Sequence, residues 1–398
     1  MKVLQINGVY PIKSTGRIVK EIADIQTKHG IEPYVATSEC TLTADNVHIM
    51  GSQLYIKANI LMTRLFGKHG FYNKLSTLRL LKWIDRVKPD VIHLHNIHGH
   101  YINVKLLFKY IDKHDIPVVW TLHDCWAFTG HCSHFDYIGC DKWKTGCKGV
   151  CPMQKSYPVS WFFNRSKGNH KAKKHLFTLP RRMHIVTPSD WLKGLCEKSF
   201  LGKYPVTTVH NGVETDVFKP VSSDLKKELG IEDKFVILGI VSEFSGYKGG
   251  EYFLKLSEMI KDDEVIVLLS LNESSDKIPA NIIPLPRTAD DKQLAAIYSM
   301  ADVFVNPTLQ DTFSMVNLEA MSCGTPVVTF CTGGATEALS DKSGIKVTKG
   351  DTEELYNAIG KVKKGFVDGE ACRQRALDFK LPNSFERYID IYKSVLDK

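Results

Sequence analysis

The chain has no run of about eighteen uncharged apolar residues, which excludes a spanning helix. It has no long polar or low-complexity tract, so most of its 398 residues must fold around cores. Two phosphate signatures are also missing. Without G-x-G-x-x-G the usual pyrophosphate turn of a nicotinamide dinucleotide site is gone, and without G-x-x-x-x-G-K-[ST] so is the P-loop. No Asp-x-Asp occurs, the pairing that commonly holds a divalent ion against a nucleotide diphosphate. A nucleotide site here must therefore neutralise phosphate with Lys, Arg and helix N-termini. Acid is absent altogether from Lys142 to Arg182, where eleven basic residues fall.

The length fits roughly two to three domains. Met1-Lys2-Val3-Leu4-Gln5-Ile6-Asn7-Gly8 is interrupted too early for a signal peptide, so a cytoplasmic protein is expected. The net charge of +8 is unevenly divided: residues 1–200 hold 29 Lys and Arg against 14 Asp and Glu, and the remainder holds 23 against 30. That asymmetry suggests two domains with different partners. Trp143, Tyr157, Trp161, Phe162 and Phe163 are interleaved with the acid-free basic stretch. An anionic lipid surface, nucleic acid and a merely solvated face are the three readings. We take the first, with the protein peripheral on the inner face of the cytoplasmic membrane and no nucleic-acid partner.

Five of ten cysteines cluster at Cys125, Cys132, Cys140, Cys147 and Cys151. In a cytosolic chain such clusters are metal ligands more often than disulfides. Cys132, Cys140, Cys147 and Cys151 are the candidate ligands of a structural zinc, with Gly139, Gly146 and Gly149 supplying turns. The spacing lacks a C-x2-C knuckle, and buried or redox-active thiols are the alternatives.

Apolar runs alternate with helical spacing along the chain. Strands are expected at Val3–Asn7, Tyr34–Thr37, Val91–His95, Val118–His123, Ile185–Thr187 and Val206–Val209, and again at Phe235–Val241, Val265–Leu269, Val303–Asn306 and Pro326–Thr329. The pattern predicts α/β architecture with parallel sheets covered on both faces. The expected domains are 1–205, carrying a basic, cysteine-rich insertion at 125–180, and 206–380. A final helix, 381–398, is expected to pack back on the first. In such sheets ligands bind outside the carboxyl ends of the strands.

Two clusters fall at strand ends. His93-Leu94-His95-Asn96-Ile97-His98-Gly99-His100 could bind a metal, contact an acceptor or pack as ordinary polar groups; we assign His95, His98 and His100 to the acceptor side. In Asn306 to Val328 a strand ends, a polar turn follows and a helix starts near Ser314, offering free N–H groups to phosphate. On physical grounds alone Asp311 could be an N-cap and Glu319 a solvated helix charge.

The segment Asp311 to Glu319, with the trailing Leu318-Glu319-Ala320-Met321-Ser322-Cys323-Gly324-Thr325-Pro326-Val327-Val328, resembles the E-x7-E signature of the family-four retaining glycosyltransferases (glycosyl transferases group 1). Ser14-Thr15-Gly16-Arg17 resembles that family's N-terminal glycine loop, and Thr121-Leu122-His123-Asp124 its strand-end histidine motif. His210-Asn211-Gly212-Val213-Glu214 through Pro220 is similar to its interdomain linker, and Lys248-Gly249 to its donor-phosphate lysine. The cysteine insert looks like that of a subgroup among polysaccharide-building enzymes.

The resemblance implies a GT-B fold, two Rossmann-like doubly wound domains facing across a cleft. It also implies a metal-independent retaining hexosyltransferase that uses a nucleotide-sugar donor and a glycan or lipid-linked glycan acceptor. By position His123, Lys248, Asp311 and Glu319 would be catalytic. Gly16, Arg17, Asn211, Thr312, Phe313, Ser314 and Glu319 would bind the donor, with Glu319 on the ribose and Asp311 on the sugar. No cofactor is expected for the chemistry. Three departures stand out: Asp311 replaces Glu, Thr312-Phe313-Ser314 replaces Gly-Phe-Gly, and the arginine that accompanies the lysine is missing, with Glu243 and Tyr247 in its place. A nucleotide-sugar epimerase or hydrolase of this build, and a non-catalytic sugar-nucleotide-binding relative, are the rival functions.

Overall fold

The computed structural model describes residues 1–397 and divides into two units, Met1–His210 with Phe385–Lys398, and Asn211–Ser384. The first holds β1 (Lys2–Ile6), β2 (Val9–Tyr10), β3 (Glu32–Thr37), β4 (Glu39–Cys40), β5 (Val47–Ile49), β6 (Val91–Leu94), β7 (Val118–Thr121), β8 (Met183–Thr187) and β9 (Val206–Thr208). Seven of these form one parallel sheet in the order β5-β3-β1-β6-β7-β8-β9, and β2 pairs with β4 beside it. The second unit holds β10 (Phe235–Ile240), β11 (Glu264–Leu269), β12 (Ile282–Leu285), β13 (Val303–Asn306), β14 (Val327–Phe330) and β15 (Gly344–Val347), ordered β12-β11-β10-β13-β14-β15, again all parallel.

The central strands are apolar on both faces because helices cover both. Val91, Ile92 and Leu94 of β6, and Val236, Ile237 and Leu238 of β10, have no solvent exposure. Helix starts follow local chemistry. Asn103, Ser189, Asp290 and Asp351 each accept a backbone N–H three residues on, which satisfies one of the donors a helix leaves free.

The strand order reverses between β1 and β6 in the first unit and between β10 and β13 in the second. Such switch points open a crevice at the carboxyl edge of a sheet. The chain there is Asn7 and His95–His100 in the first unit, and Val241–Lys248 and Pro307–Ser314 in the second.

The insertion is less irregular than its composition suggested. Residues 126–145 make only short 3-10 turns, but Ser166–Phe177 is a helix whose buried side holds Asn169, Lys173, Leu176 and Phe177. The helix Asn383–Leu396 brings the chain back into the first unit, where Tyr388 and Tyr392 are fully buried.

Candidate functional site

In the second unit the turn after β13 is held from several sides. Asn306 donates through Nδ2 to Ser314 Oγ and Asn317 Oδ1, both at 2.9 Å, and Asn317 donates to the Ala335 carbonyl at 2.9 Å. Ser314, not Asp311, is the N-cap of the helix Met315–Ser322, and its hydroxyl is engaged by Asn306 rather than by the helix. Asp311 is thereby left for another partner, the Lys248 ammonium at 3.2 Å. The Lys248 side chain is about half exposed and Asp311 mostly covered, at 53% and 16%. Burial works to lower the lysine pKa, but Asp311 and the Tyr247 hydroxyl outweigh it and hold the ammonium above its ordinary range.

The strand–turn–helix after β10 is set against this turn by Gly249. It sits at φ +77°, and a Cβ there would lie 1.9 Å from the Pro307 carbonyl oxygen. Leu309 also donates its N–H to the Tyr247 carbonyl at 2.7 Å. Lys248 and Asp311 meet because these two switch-point loops are bound together.

Glu319, one turn into the helix, is half-buried and accepts the Tyr298 hydroxyl at 2.9 Å. Burial and the carboxylate together push the Tyr298 pKa well up, so its proton stays in that bond. Glu319 is thus a positioned carboxylate rather than a solvated charge. Thr312 is half-buried; Phe313 is buried against Phe379, leaving only its backbone for a ligand; Asn211 is buried at the start of this unit.

In the first unit Gly16 lies inside the helix Lys13–Lys28 and not in a loop, a correction to the sequence reading. A Cβ on it would come within 3.1–3.3 Å of the backbone of Val9 and Pro11, so the missing side chain lets the helix close on β2. Arg17 is exposed on the next position of that helix.

The histidines form one polar layer at the ends of β6 and β7. His93 contacts Tyr392 Oη at 2.7 Å and Thr121 Oγ1 at 2.8 Å. His95 lies between Gln5 Oε1 and His123 Nε2, each at 3.1 Å, and its ring is stacked with that of His123. His98 pairs with Asp124 at 2.7 Å and meets Tyr157 Oη at 3.0 Å; His100 meets Thr63 Oγ1 at 3.2 Å. Burial lowers the pKa of His100 and of His123 to about 4. Burial alone would raise that of Asp124, but His98 more than offsets it and the carboxyl is held at about 2. Structurally, His95 fixes His123 and His98 fixes Asp124. A small polar cavity lined by His95, Asn96, His98, His123 and Asp124 opens beside them.

One part of the basic-surface expectation is overturned. Lys173 is 1% exposed; it donates to the carbonyls of Trp126 (2.8 Å) and Thr129 (3.2 Å), with its nitrogen 3.4 Å from the Trp126 ring centre. It faces inward because Ser166–Phe177 is a packed helix and position 173 lies on its buried side. Lys171 and Lys174 remain exposed. Cys132, Cys140, Cys147 and Cys151, all free thiols, line a single cavity within the same insertion.

Sequence reasoning missed Tyr298, Gln5, Tyr388 and Tyr392. The i, i+4 spacing of the last two on one face of the closing helix was the available signal.

Residues 15–217 match the family model of Glycosyltransferase Family 4, and residues 233–364 that of Glycosyl transferases group 1. A putative colanic acid biosynthesis glycosyl transferase of Escherichia coli K12, WcaC, is 25% identical over 350 residues, which is 85% of this chain and 84% of that protein. Sucrose-phosphate synthase of Thermosynechococcus elongatus superposes with a TM-score of 0.72 at 14% identity, covering 100% of this chain and 99% of its own. The Anabaena protein HepE, solved in complex with UDP-glucose, gives a TM-score of 0.67 at 16% identity, over 99% of this chain and 100% of its own. The likeness to these solved structures is one of fold, the GT-B fold of two Rossmann-like domains.

Proposed function

Since the chain belongs to the family 4, group 1 glycosyltransferases and is itself a glycosyltransferase, we propose that it moves a hexose from a nucleotide diphosphate sugar to a glycan in polysaccharide biosynthesis. The transfer would retain configuration at the anomeric carbon and need no metal for its chemistry. The observation that carries this reading is the Lys248–Asp311 pair, placed three residues ahead of the N-cap Ser314. Two sources of positive charge, an ammonium from one switch-point loop and the N-terminus of a helix on the other, are brought to the same switch point.

In this reading Lys248 and the backbone N–H groups of Thr312, Phe313 and Ser314 take the diphosphate. Glu319, steadied by Tyr298, takes the ribose hydroxyls, and Asp311 the sugar. Arg17 and Asn211 are assigned to the donor as well, whereas Gly16, closed against β2, is not. Asp311 already holds the ammonium, so the diphosphate would take over one partner of an existing pair instead of meeting a bare cation. As the glycosidic bond breaks, charge grows on the departing diphosphate, and donors fixed beforehand stabilise that charge without reorganising. His123, its ring held by His95, is assigned to the reacting sugar. No side-chain nucleophile is assigned; the acceptor hydroxyl would attack from the face the diphosphate leaves and pass its proton to the departing diphosphate oxygen.

The Anabaena neighbour solved with UDP-glucose supports a nucleotide-sugar donor, and the Escherichia coli relative's name supports polysaccharide biosynthesis. A lipid-linked acceptor at an anionic membrane is supported by one surface of the first unit. Trp161, Phe162 and Phe163 are exposed, Phe163 stacks on the exposed Phe66, and Arg64 and Arg165 lie over the rings of Trp161 and Phe163. Apolar rings with cations among them suit the headgroup boundary of an anionic bilayer.

A thermal-shift screen of nucleotide sugars, followed by a search for linked product with the stabilising donor, tests the proposal. One donor should raise the melting temperature selectively and yield a glycoside. Release of free sugar alone would favour a hydrolase, and binding without turnover a non-catalytic relative.

A further inference from the structure

The segment between β7 and the helix Ser166–Phe177 has little regular structure, and three observations within it converge. First, Cys132, Cys140, Cys147 and Cys151 line one cavity, though they are spread over twenty residues of chain. The chain turns through left-handed glycines immediately before Cys140 and Cys147, and Cys147 is itself left-handed at φ +52°, a conformation a side chain rarely adopts. The Gly130 N–H donates to Cys147 Sγ at 3.2 Å, which turns that sulfur's acceptor side to the backbone. Second, His131 lines the same cavity, is 6% exposed, and its Nε2 has no hydrogen-bond partner. Third, the buried Lys173 nitrogen has carbonyls and a ring face around it and no carboxylate within 4.0 Å; the Asp124 carboxylate acts on it from farther off. A buried cation held mainly by neutral groups is costly. Thr129, whose carbonyl Lys173 holds, lines the cysteine cavity too.

We propose that Cys132, Cys140, Cys147 and Cys151 bind a structural zinc ion, with His131 at its edge and Lys173 as its counter-charge. Four thiolates around Zn²⁺ carry a net charge of −2, the sign that would balance the lysine. Among the described residues no three of these sulfurs lie within 4.8 Å of one another. A tetrahedral site with Zn–S near 2.3 Å needs them about 3.8 Å apart, so the ion would draw the loops inward. The site would also stiffen the catalytic side of the unit. Lys173 ties the cavity to the Trp126 carbonyl, the Trp126 N–H donates to Asp124 at 2.8 Å, and Asp124 holds His98. The proposal stands on the cysteine cavity and does not depend on the transfer reaction.

The test is metal analysis of the full chain made without a His-tag, which should show about one zinc per chain. Cys140→Ser and Cys147→Ser should each lower that sharply, whereas Cys40→Ser and Cys331→Ser, which lie elsewhere, should keep it. If the first two variants do not fold, cobalt exchanged into the unaltered chain serves instead, and a thiolate-to-cobalt charge-transfer band is expected. Wild-type protein with no zinc and four thiols freely alkylated in its native state would overturn the proposal. So would about one zinc per chain retained by both Cys140→Ser and Cys147→Ser, or a cobalt spectrum without sulfur ligation.

Discussion

The polar layer at the ends of β6 and β7 should make the first unit sensitive to mild acid. Burial holds His100 and His123 at about 4, against 6.5 in an unfolded chain, and shifts His69, His93 and His95 in the same direction. As pH falls through 6.5 the unfolded state takes up protons that the folded state refuses until about 4. Stability is therefore full above 6.5 and is lost progressively on the way down. At pH 5.5 one such histidine costs about 1.4 kcal/mol, so His100 and His123 alone cost about 3 kcal/mol. Asp124, held at about 2, changes charge only below this window. All six tryptophans lie in the first unit, so their fluorescence in a urea titration follows that unit alone. Its midpoint should fall by about 1 M or more between pH 7 and pH 5.5. His100→Asn, which suits the left-handed backbone at φ +64°, should shrink that pH effect by about 1.4 kcal/mol. Equal midpoints at the two pH values would refute the reasoning.

Lys248→Ala should lower kcat about 100-fold or more, because it removes one fixed stabiliser of the departing diphosphate, and Lys248→Arg should recover only part of it; full kcat in the alanine variant would remove Lys248 from that role. Transfer should survive brief EDTA during the assay, whereas inhibition reversed by magnesium would contradict a metal-free chemistry. Glu319→Gln should weaken donor binding by about 10–100-fold, the loss of a charged hydrogen bond, while the amide oxygen still accepts from Tyr298 and the melting temperature barely moves. The protein should co-sediment with anionic vesicles, release at high salt and bind neutral ones poorly. Replacing Trp161 and Phe162 by Ala, or Lys171 and Lys174 by Glu, should reduce that binding at least tenfold without changing nucleotide affinity; equal binding to both vesicle types would disprove it.

What could be read in advance was what burial had written into the sequence. The central strands of both sheets showed as apolar runs because helices cover both faces. Apart from the two-residue strands β2 and β4, the strands that went unread, Val47–Ile49, Ile282–Leu285 and Gly344–Val347, are all at sheet edges. An edge needs less apolar length and even tolerates Pro284 within Ile282–Leu285. The helix Gln53–Phe66 was hidden for a different reason: Leu54, Leu61, Met62 and Phe66 are exposed, so its apolar residues mark no single inward face. At the candidate site, the order of motifs pointed to Lys248, Asp311 and Glu319, but not to the side chains they meet. Tyr298 is 21 residues from Glu319 and Gln5 is 90 from His95, distances over which no local period operates. Lys173 was misread because composition counts a lysine as surface, and only the packing of its helix turned it inward.

The closing helix has a consequence for how the protein is made. The sheet of the first unit is laid down before Asn211, yet Tyr388 and Tyr392, whose hydroxyls complete Thr121, His93 and Gln26, arrive only with the helix Asn383–Leu396. At roughly 5–20 residues per second a ribosome needs on the order of ten seconds to make the intervening Asn211–Ser384. During that interval the second unit has all of its strands and can fold, while the first waits with part of its polar layer open. The unit translated first should be completed after the second, and a stop codon ahead of Asn383 should harm the unit that opens with β1.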